Sequence, residues 1–175
     1  MPDGYMGKLA IVDLANAKVT VEDFDQGMAR QFIGGYGLGV RFLFEKQKKD
    51  ADPLGPENIL GFTTGPLTGT KVPTGSRYMA VCKSPLTGGW GDANSGGYFG
   101  SELKATGLDA VFVTGKSAAP KYLHITNSAI EIKDASHLWG KDTVETEREI
   151  RKEHGMLRKR HFKRVRHRRY CPHMG

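Results

Sequence analysis

Cysteine is almost missing from this chain: Cys82 and Cys171 are the only two among 175 residues. They lie far apart in sequence, which excludes a disulfide framework and any CxxC metal or redox spacing. An iron–sulfur cluster or a structural zinc would need ligands from elsewhere. Long apolar runs are missing too. Segments such as Ala110 to Val113 fall far short of the roughly 20 residues that cross a bilayer, so no membrane-spanning helix is expected. The stretch from Met1 to Leu14 has no charged head, apolar middle and small-residue cleavage site in series, which leads to the expectation of a cytoplasmic protein.

Several catalytic signatures are also absent. There is no HExxH and no GxSxG, which removes the usual zinc-peptidase and serine-hydrolase motifs. Gly115-Lys116-Ser117 supplies the end of a nucleotide phosphate loop, but Ala110 stands where its first glycine belongs and Val111 to Thr114 reads as a strand. The glycines of Gly35-Tyr36-Gly37-Leu38-Gly39 alternate, whereas a dinucleotide fingerprint needs GxGxxG between a strand and a helix. His124, His137 and His154 are scattered and read as packed or solvent-facing side chains. Cys82 reads as a small buried hydrophobe.

One region combines a lack of acidic residues with a run of basic ones. Residues 156–175 hold eight basic side chains and no Asp or Glu, and the other 18 basic residues face all 19 acidic ones. The net charge of +7 is therefore a property of the tail, and the body is close to neutral. Such a tail would contact nucleic acid phosphates without sequence preference, with Phe162 or Tyr170 available to stack on bases. It has no repeating apolar face and is expected to be disordered.

The length suits one domain with a real core. Lys8 to Leu14 and Lys18 to Phe24 are β-branched and flank Asn16, a turn-tolerant residue, so they read as a hairpin. Asp25 is placed to cap a helix from Gln26, with Gly34-Gly35 as its stop, and a second helical pattern covers Leu38 to Lys48. Ile59 to Thr64, Arg77 to Lys83, Ala110 to Thr114, Lys121 to Thr126 and Ala129 to Lys133 read as strands, and Tyr98 to Thr106 as a short helix. Asp142-Thr143-Val144-Glu145 resembles a capping box for a charged helix that stops at Gly155. Strands outnumber helices and tight turns join most of them, which predicts a β-rich α+β domain over residues 1–155.

What the chain has in excess is glycine between Gly61 and Gly100, ten residues in forty, with Pro66, Pro73 and Pro85 among them. Tight turns between strands are one reading. The other is a set of exposed backbone amides approaching an anionic ring-shaped ligand, where glycine permits close contact.

Five segments in order favour the second reading. They are Gly34 to Gly39, Ala51 to Asn58, Thr64 to Thr70 running on to Pro73 to Tyr78, Lys83 to Gly88 running on to Ala93 to Gly100, and Asp134 to Lys141. Together they resemble the first domain of the aldehyde:ferredoxin oxidoreductase family. That resemblance implies a β-sheet base on which two molybdopterin-type cofactors sit, joined through one tungsten (tungstopterin). By resemblance Arg77 contacts the cofactor. Asn94, Ser95, Gly96 and Gly97 belong to the segment that meets the pterin. The Asn94 carbonyl helps to hold a magnesium ion bridging the two phosphates, and magnesium prefers hard oxygen ligands. The family's reaction oxidises an aldehyde to a carboxylate and passes two electrons through a [4Fe-4S] cluster to ferredoxin.

Later domains of the family carry the cluster cysteines and the substrate channel. The resemblance, followed to about Gly155, predicts a truncated, inactive cofactor-binding fragment with a basic non-family tail, a pattern expected of a frameshift. No residue of this chain is expected to be catalytic. A non-catalytic assembly or pterin-carrying subunit, a homodimer, and a nucleic-acid binder acting through the tail are the alternatives.

Overall fold

A computed structural model describes residues 4–155 and 164–166. Its main element is a six-stranded sheet of order β2-β1-β6-β3-β4-β5. The strands are β1 (Lys8–Asp13), β2 (Lys18–Asp23), β3 (Leu60–Thr64), β4 (Tyr78–Lys83), β5 (Trp90–Ser95) and β6 (Ala110–Thr114). Only β1 and β6 run parallel within it. A smaller sheet of order β8-β7-β9 is formed by β7 (Lys121–Ile125), β8 (Ile130–Asp134) and β9 (Arg164–Arg166). The helices are α1 (Gln26–Phe32), α2 (Tyr36–Lys46), α3 (Phe99–Ala105) and α4 (Thr143–Glu153). This is the β-rich α+β class that the sequence predicts.

The centre of the six-stranded sheet is covered on both faces. On one, Leu38, Phe42 and Leu43 of α2 pack with Leu9, Val81, Ala110 and Phe112. On the other, Leu103 of α3 and Leu123 and Ile125 of β7 pack with Ala10, Val12, Phe62, Val111 and Val113. β6 is buried from Ala110 to Val113 on both faces, which is why its apolar run is continuous and not alternating. Gly61 makes the α2 side possible. A Cβ there would stand 2.6 Å from the Phe112 ring, and Phe112 is stacked on Phe42 with ring centroids 3.6 Å apart.

Local chemistry explains where the elements begin and end. Asp25 accepts from the Met28 amide at 2.7 Å and so caps α1 as expected. Asp142 accepts from the Glu145 amide at 2.8 Å and caps α4. In the hairpin turn, Asp13 accepts from the Ala15 amide and from both the backbone and side chain of Asn16. The left-handed residue there is Ala17, at φ 50°, one position after the asparagine. α2 starts at Tyr36, two residues ahead of the expected Leu38, because Gly35 is its N-cap and Gly37 lies so close to Phe32 that a Cβ would overlap the carbonyl. It ends at Lys46, where the Gln47 side chain turns away to pair with the backbone of Ile59 and Glu57.

Two strands, β5 and the short β9, are missing from the sequence reading. β5 is exposed along nearly all its length, so it carries no burial pattern, and it exists through its six-residue pairing with β4. Cys82 is half-buried and not buried as expected; its register partner on β5 is Gly91, which has no side chain to cover it. Of the region read as a tail, only Arg164–Arg166 is described, as a strand paired with β7. The rest of the basic run, with Phe162, Tyr170 and Cys171, lies outside the described residues.

Candidate functional site

The antiparallel register sets Met79 opposite Asn94 and Tyr78 opposite Ser95. One step further along the ladder, Arg77 and Gly96 leave the sheet at the same end. Side chains on a strand alternate faces, and residues directly opposite in an antiparallel pair share one. Met79 and Val81 pack in the α2-side cluster, so Arg77, Asn94 and Asp92 belong to the α2 face of the sheet edge. Arg77 and Asn94 meet there: Arg77 Nη1 donates to Asn94 Oδ1 at 2.8 Å. Both are solvent-exposed.

Ser95, Gly96 and Gly97 continue from the end of β5 into α3. Gly97 has φ +87°, and a Cβ on either Gly96 or Gly97 would meet nothing within 4 Å. Their backbone is bare to solvent next to an exposed guanidinium. The Ser95 hydroxyl reaches the Gly96 carbonyl only at 3.5 Å. All five residues that the sequence nominates are thus gathered at one end of the β4–β5 edge.

The buried parts behind this edge are less visible in sequence. Thr68 accepts from the Gly65 amide at 3.2 Å and donates to the Arg77 carbonyl at 2.8 Å. Gly100 closes against them, since a Cβ there would lie 3.0 Å from the Thr68 methyl and 3.3 Å from the Arg77 carbonyl oxygen. The backbone that carries the guanidinium is therefore fixed while its head stays in water. Thr68 and Gly100 belong to the glycine-rich segments already singled out, but their role depends on a contact across the sheet end that spacing does not reveal.

The arrangement suits an anion bearing flat, paired acceptor groups. A guanidinium offers five N–H donors in a planar fork, and Asn94 takes up one of them while orienting the plane. Open glycine amides beside it can approach a phosphate oxygen without a side chain intervening. The donor set is thus one that a phosphate-bearing pterin would fit. Among the described residues no group of three or more His, Cys, Asp or Glu could hold a metal ion, so any cation here would rely on carbonyl and ligand oxygens.

A second polar cluster lies in the smaller sheet. His124 stacks on His154 with ring centroids 4.0 Å apart, and Nδ1 of His124 is 3.0 Å from Glu131. The Tyr122 hydroxyl donates to Glu153 at 2.6 Å and lies 3.0 Å from Nε2 of His154. Glu153 also meets His137 at 3.5 Å. Burial, then the charges of His124 and Lys133, holds His154 below the ordinary histidine range. Burial works to raise Glu153, but the Tyr122 hydrogen bond and the charges of His154 and His137 leave it below the usual carboxylate range. Histidines scattered in sequence are here brought together by β7, the 3-10 turn Ser136–Leu138 and the end of α4.

Comparison with known proteins identifies the family and the fold. The family model described as "Aldehyde ferredoxin oxidoreductase, N-terminal domain" matches residues 9–165. A tungsten-containing aldehyde ferredoxin oxidoreductase of Pyrococcus horikoshii is 49% identical over 152 residues, covering 87% of this chain and 25% of that protein. An aliphatic sulfonate oxidoreductase, WOR-like subunit, of Pyrococcus furiosus is 40% identical over 161 residues, covering 89% of this chain and 25% of its own length. The solved active site complex BamBC of benzoyl coenzyme A reductase, in complex with 1,5-dienoyl-CoA, is 34% identical with a TM-score of 0.86. That likeness covers 90% of this chain and 24% of the other. The chain spans about a quarter of the length of the curated relatives it matches.

Proposed function

The chain belongs to the aldehyde ferredoxin oxidoreductase family, and from that premise we propose that it is the tungstopterin-binding base of an enzyme that oxidises aldehydes to carboxylates. In this reading ferredoxin takes the electrons from the complete enzyme. Its first domain binds and orients, while the cofactor carries the difficult chemistry. The observation that carries the reading is the 2.8 Å Arg77–Asn94 bond beside the open Gly96–Gly97 backbone.

Arg77 donates its remaining N–H groups to a cofactor phosphate, because a guanidinium pairs two donors with two phosphate oxygens and stays charged at any working pH. Asn94 orients that fork through its side chain, and its backbone carbonyl would supply a hard oxygen ligand to a magnesium ion. Ser95, Gly96 and Gly97 bring a hydroxyl and unobstructed amides to the pterin. When bound, the tungsten–pterin group supplies two-electron redox chemistry in which water provides the oxygen of the carboxylate. No side chain of this chain takes a proton from the substrate, and Cys82 and Cys171 are too few to ligate a [4Fe-4S] cluster. This chain alone is therefore inactive in our reading. Relatives named for aldehydes and for aliphatic sulfonate share this domain, which supports placing substrate choice outside it.

The test is expression with tungstate, followed by metal analysis and fluorescence of released pterin. Wild-type chain should retain pterin, and Arg77→Ala and Asn94→Ala should each reduce it by about tenfold, the scale of one charge-assisted hydrogen bond. Equal retention by all three proteins would remove the site. Aldehyde oxidation with a viologen dye, at a rate tracking tungsten content, would overturn the inactivity of the chain.

A further inference from the structure

Resting on that reading of the site, we propose that the buried pair Lys104–Asp109 is its positioning element, acting on Arg77 through the strap formed by residues 4–7. Lys104 and Asp109 retain 5% and 1% side-chain exposure, with Nζ 2.8 Å from Oδ1. They do not simply neutralise each other. The other carboxylate oxygen of Asp109 accepts from the amides of Met6 at 2.9 Å and Gly7 at 2.7 Å. Lys104 also donates to the Gly4 carbonyl and lies 5.5 Å from the centre of the Tyr5 ring. Every one of these extra contacts goes to the irregular segment ahead of β1.

That segment lies on the loop behind the site. Gly4, at φ +94°, is so close to Pro66 that a Cβ would stand 2.5 Å from the Pro66 carbonyl oxygen. The Asp109 carbonyl meanwhile accepts from both the amide and the hydroxyl of Thr64, at 2.9 and 2.8 Å. Thr64 to Thr68 is thus held from both sides, and Thr68 holds the Arg77 carbonyl. The circuit closes on α3, because Gly100 packs against Thr68 and Arg77 and the same short helix carries Lys104. Both contributors to the site, the backbone at Arg77 and the Gly96–Gly97 entry into α3, are anchored in this one ring of contacts.

Stability alone does not explain a charged pair at this place, because apolar residues of similar volume commonly serve a core as well or better. What the charges add is direction. Each bonded oxygen and proton admits one placement of the strap, and the strap admits one placement of the loop. A displacement of about 1 Å in such a supporting group is enough to weaken a site by up to roughly a hundredfold.

Hydrogen exchange on the full chain, comparing wild type with Asp109→Asn and Gly4→Ala, tests the proposal, with pterin retention measured in parallel. Gly4→Ala leaves the Lys104 and Asp109 side chains unaltered and acts directly on the strap, where an added Cβ meets Pro66, so it decides the matter if Asp109→Asn fails to fold. The expected result is exchange about tenfold faster at residues 65–77, unchanged protection in β1 and β6, and pterin retention reduced by about tenfold or more. Faster exchange at 65–77 in a series whose wild type retains no pterin would uphold the positioning of the loop and remove the cofactor reading. Wild-type exchange at 65–77 in Gly4→Ala, with pterin retained as in wild type, would overturn the proposal.

Discussion

Two polar pairs lie on neighbouring segments of this fold and are treated in opposite ways. Lys104 and Asp109 are buried, and the carboxylate oxygens and the ammonium group are engaged by one another or by backbone. Arg77 and Asn94 are exposed at the sheet edge, joined by one hydrogen bond at 2.8 Å, with most of the guanidinium fork turned to water. The first pair directs its hydrogen-bonding capacity into the fold; the second keeps its capacity for something outside. The contrast separates residues that shape the site from residues that would touch a ligand, and mutation should divide them along the same line.

The largest effect is expected at the buried pair. Lys104→Met leaves the Asp109 carboxylate buried without its cation, which costs about 3–5 kcal/mol. Denaturant unfolding would measure it, and a loss below about 1 kcal/mol would mean that water reaches Asp109 and that the contrast with Arg77 is smaller than drawn. A cap gives an intermediate case. Asp142→Ala removes one exposed acceptor from the Glu145 amide and should cost about 1 kcal/mol, a reference for what one local hydrogen bond contributes here.

The histidine cluster of the smaller sheet lies between the two extremes and should respond to pH. His154 has its pKa lowered in the fold by burial, then by His124 and Lys133. Between that lowered value and the ordinary histidine value of about 6.5, the unfolded chain binds more protons than the folded one, so stability rises with pH. The contribution is complete above about 6.5 and is lost as acidification protonates His154 against His124. Glu153 and Glu131 are also held low in the fold, so their contributions persist through this window and are lost only as pH falls from the ordinary carboxylate value through the lowered one. Thermal unfolding at pH 7.5 and 5.5 should differ by less than about 4 °C, and His154→Gln should abolish the part due to this group. An unchanged difference in that variant would assign the pH response to other groups.

The sequence made the repetitive parts of this fold legible, along with the candidate site's chemistry. β6 announces itself as an apolar run because it is buried on both faces, and α1 and α4 announce their starts because Asp25 and Asp142 cap them through local bonds. β5 left no trace, since an exposed edge strand is defined by its partner's backbone and not by its own side chains. The same reason separates Arg77 from its supports. A guanidinium among glycines is conspicuous in a sequence, whereas Lys104 and Asp109 look like ordinary surface charges until residues about a hundred positions away, Gly4 to Gly7, are folded onto them.

The smallest expected effect on stability is the most informative about function. Arg77→Ala removes a side chain whose one bond is to another exposed side chain, and exposed polar pairs contribute little once solvent competes for both partners. The Thr68 hydroxyl holds the Arg77 carbonyl and not the guanidinium, so the backbone is retained in alanine. Unfolding should therefore shift by no more than about 0.5 kcal/mol while pterin retention falls. A residue that the fold does not need, on a backbone that the fold holds firmly, is what the proposed ligand-contacting role of Arg77 predicts. If Arg77→Ala instead destabilised the chain by as much as Lys104→Met, the guanidinium would be a structural group, and the division between the two pairs would fail at its central point.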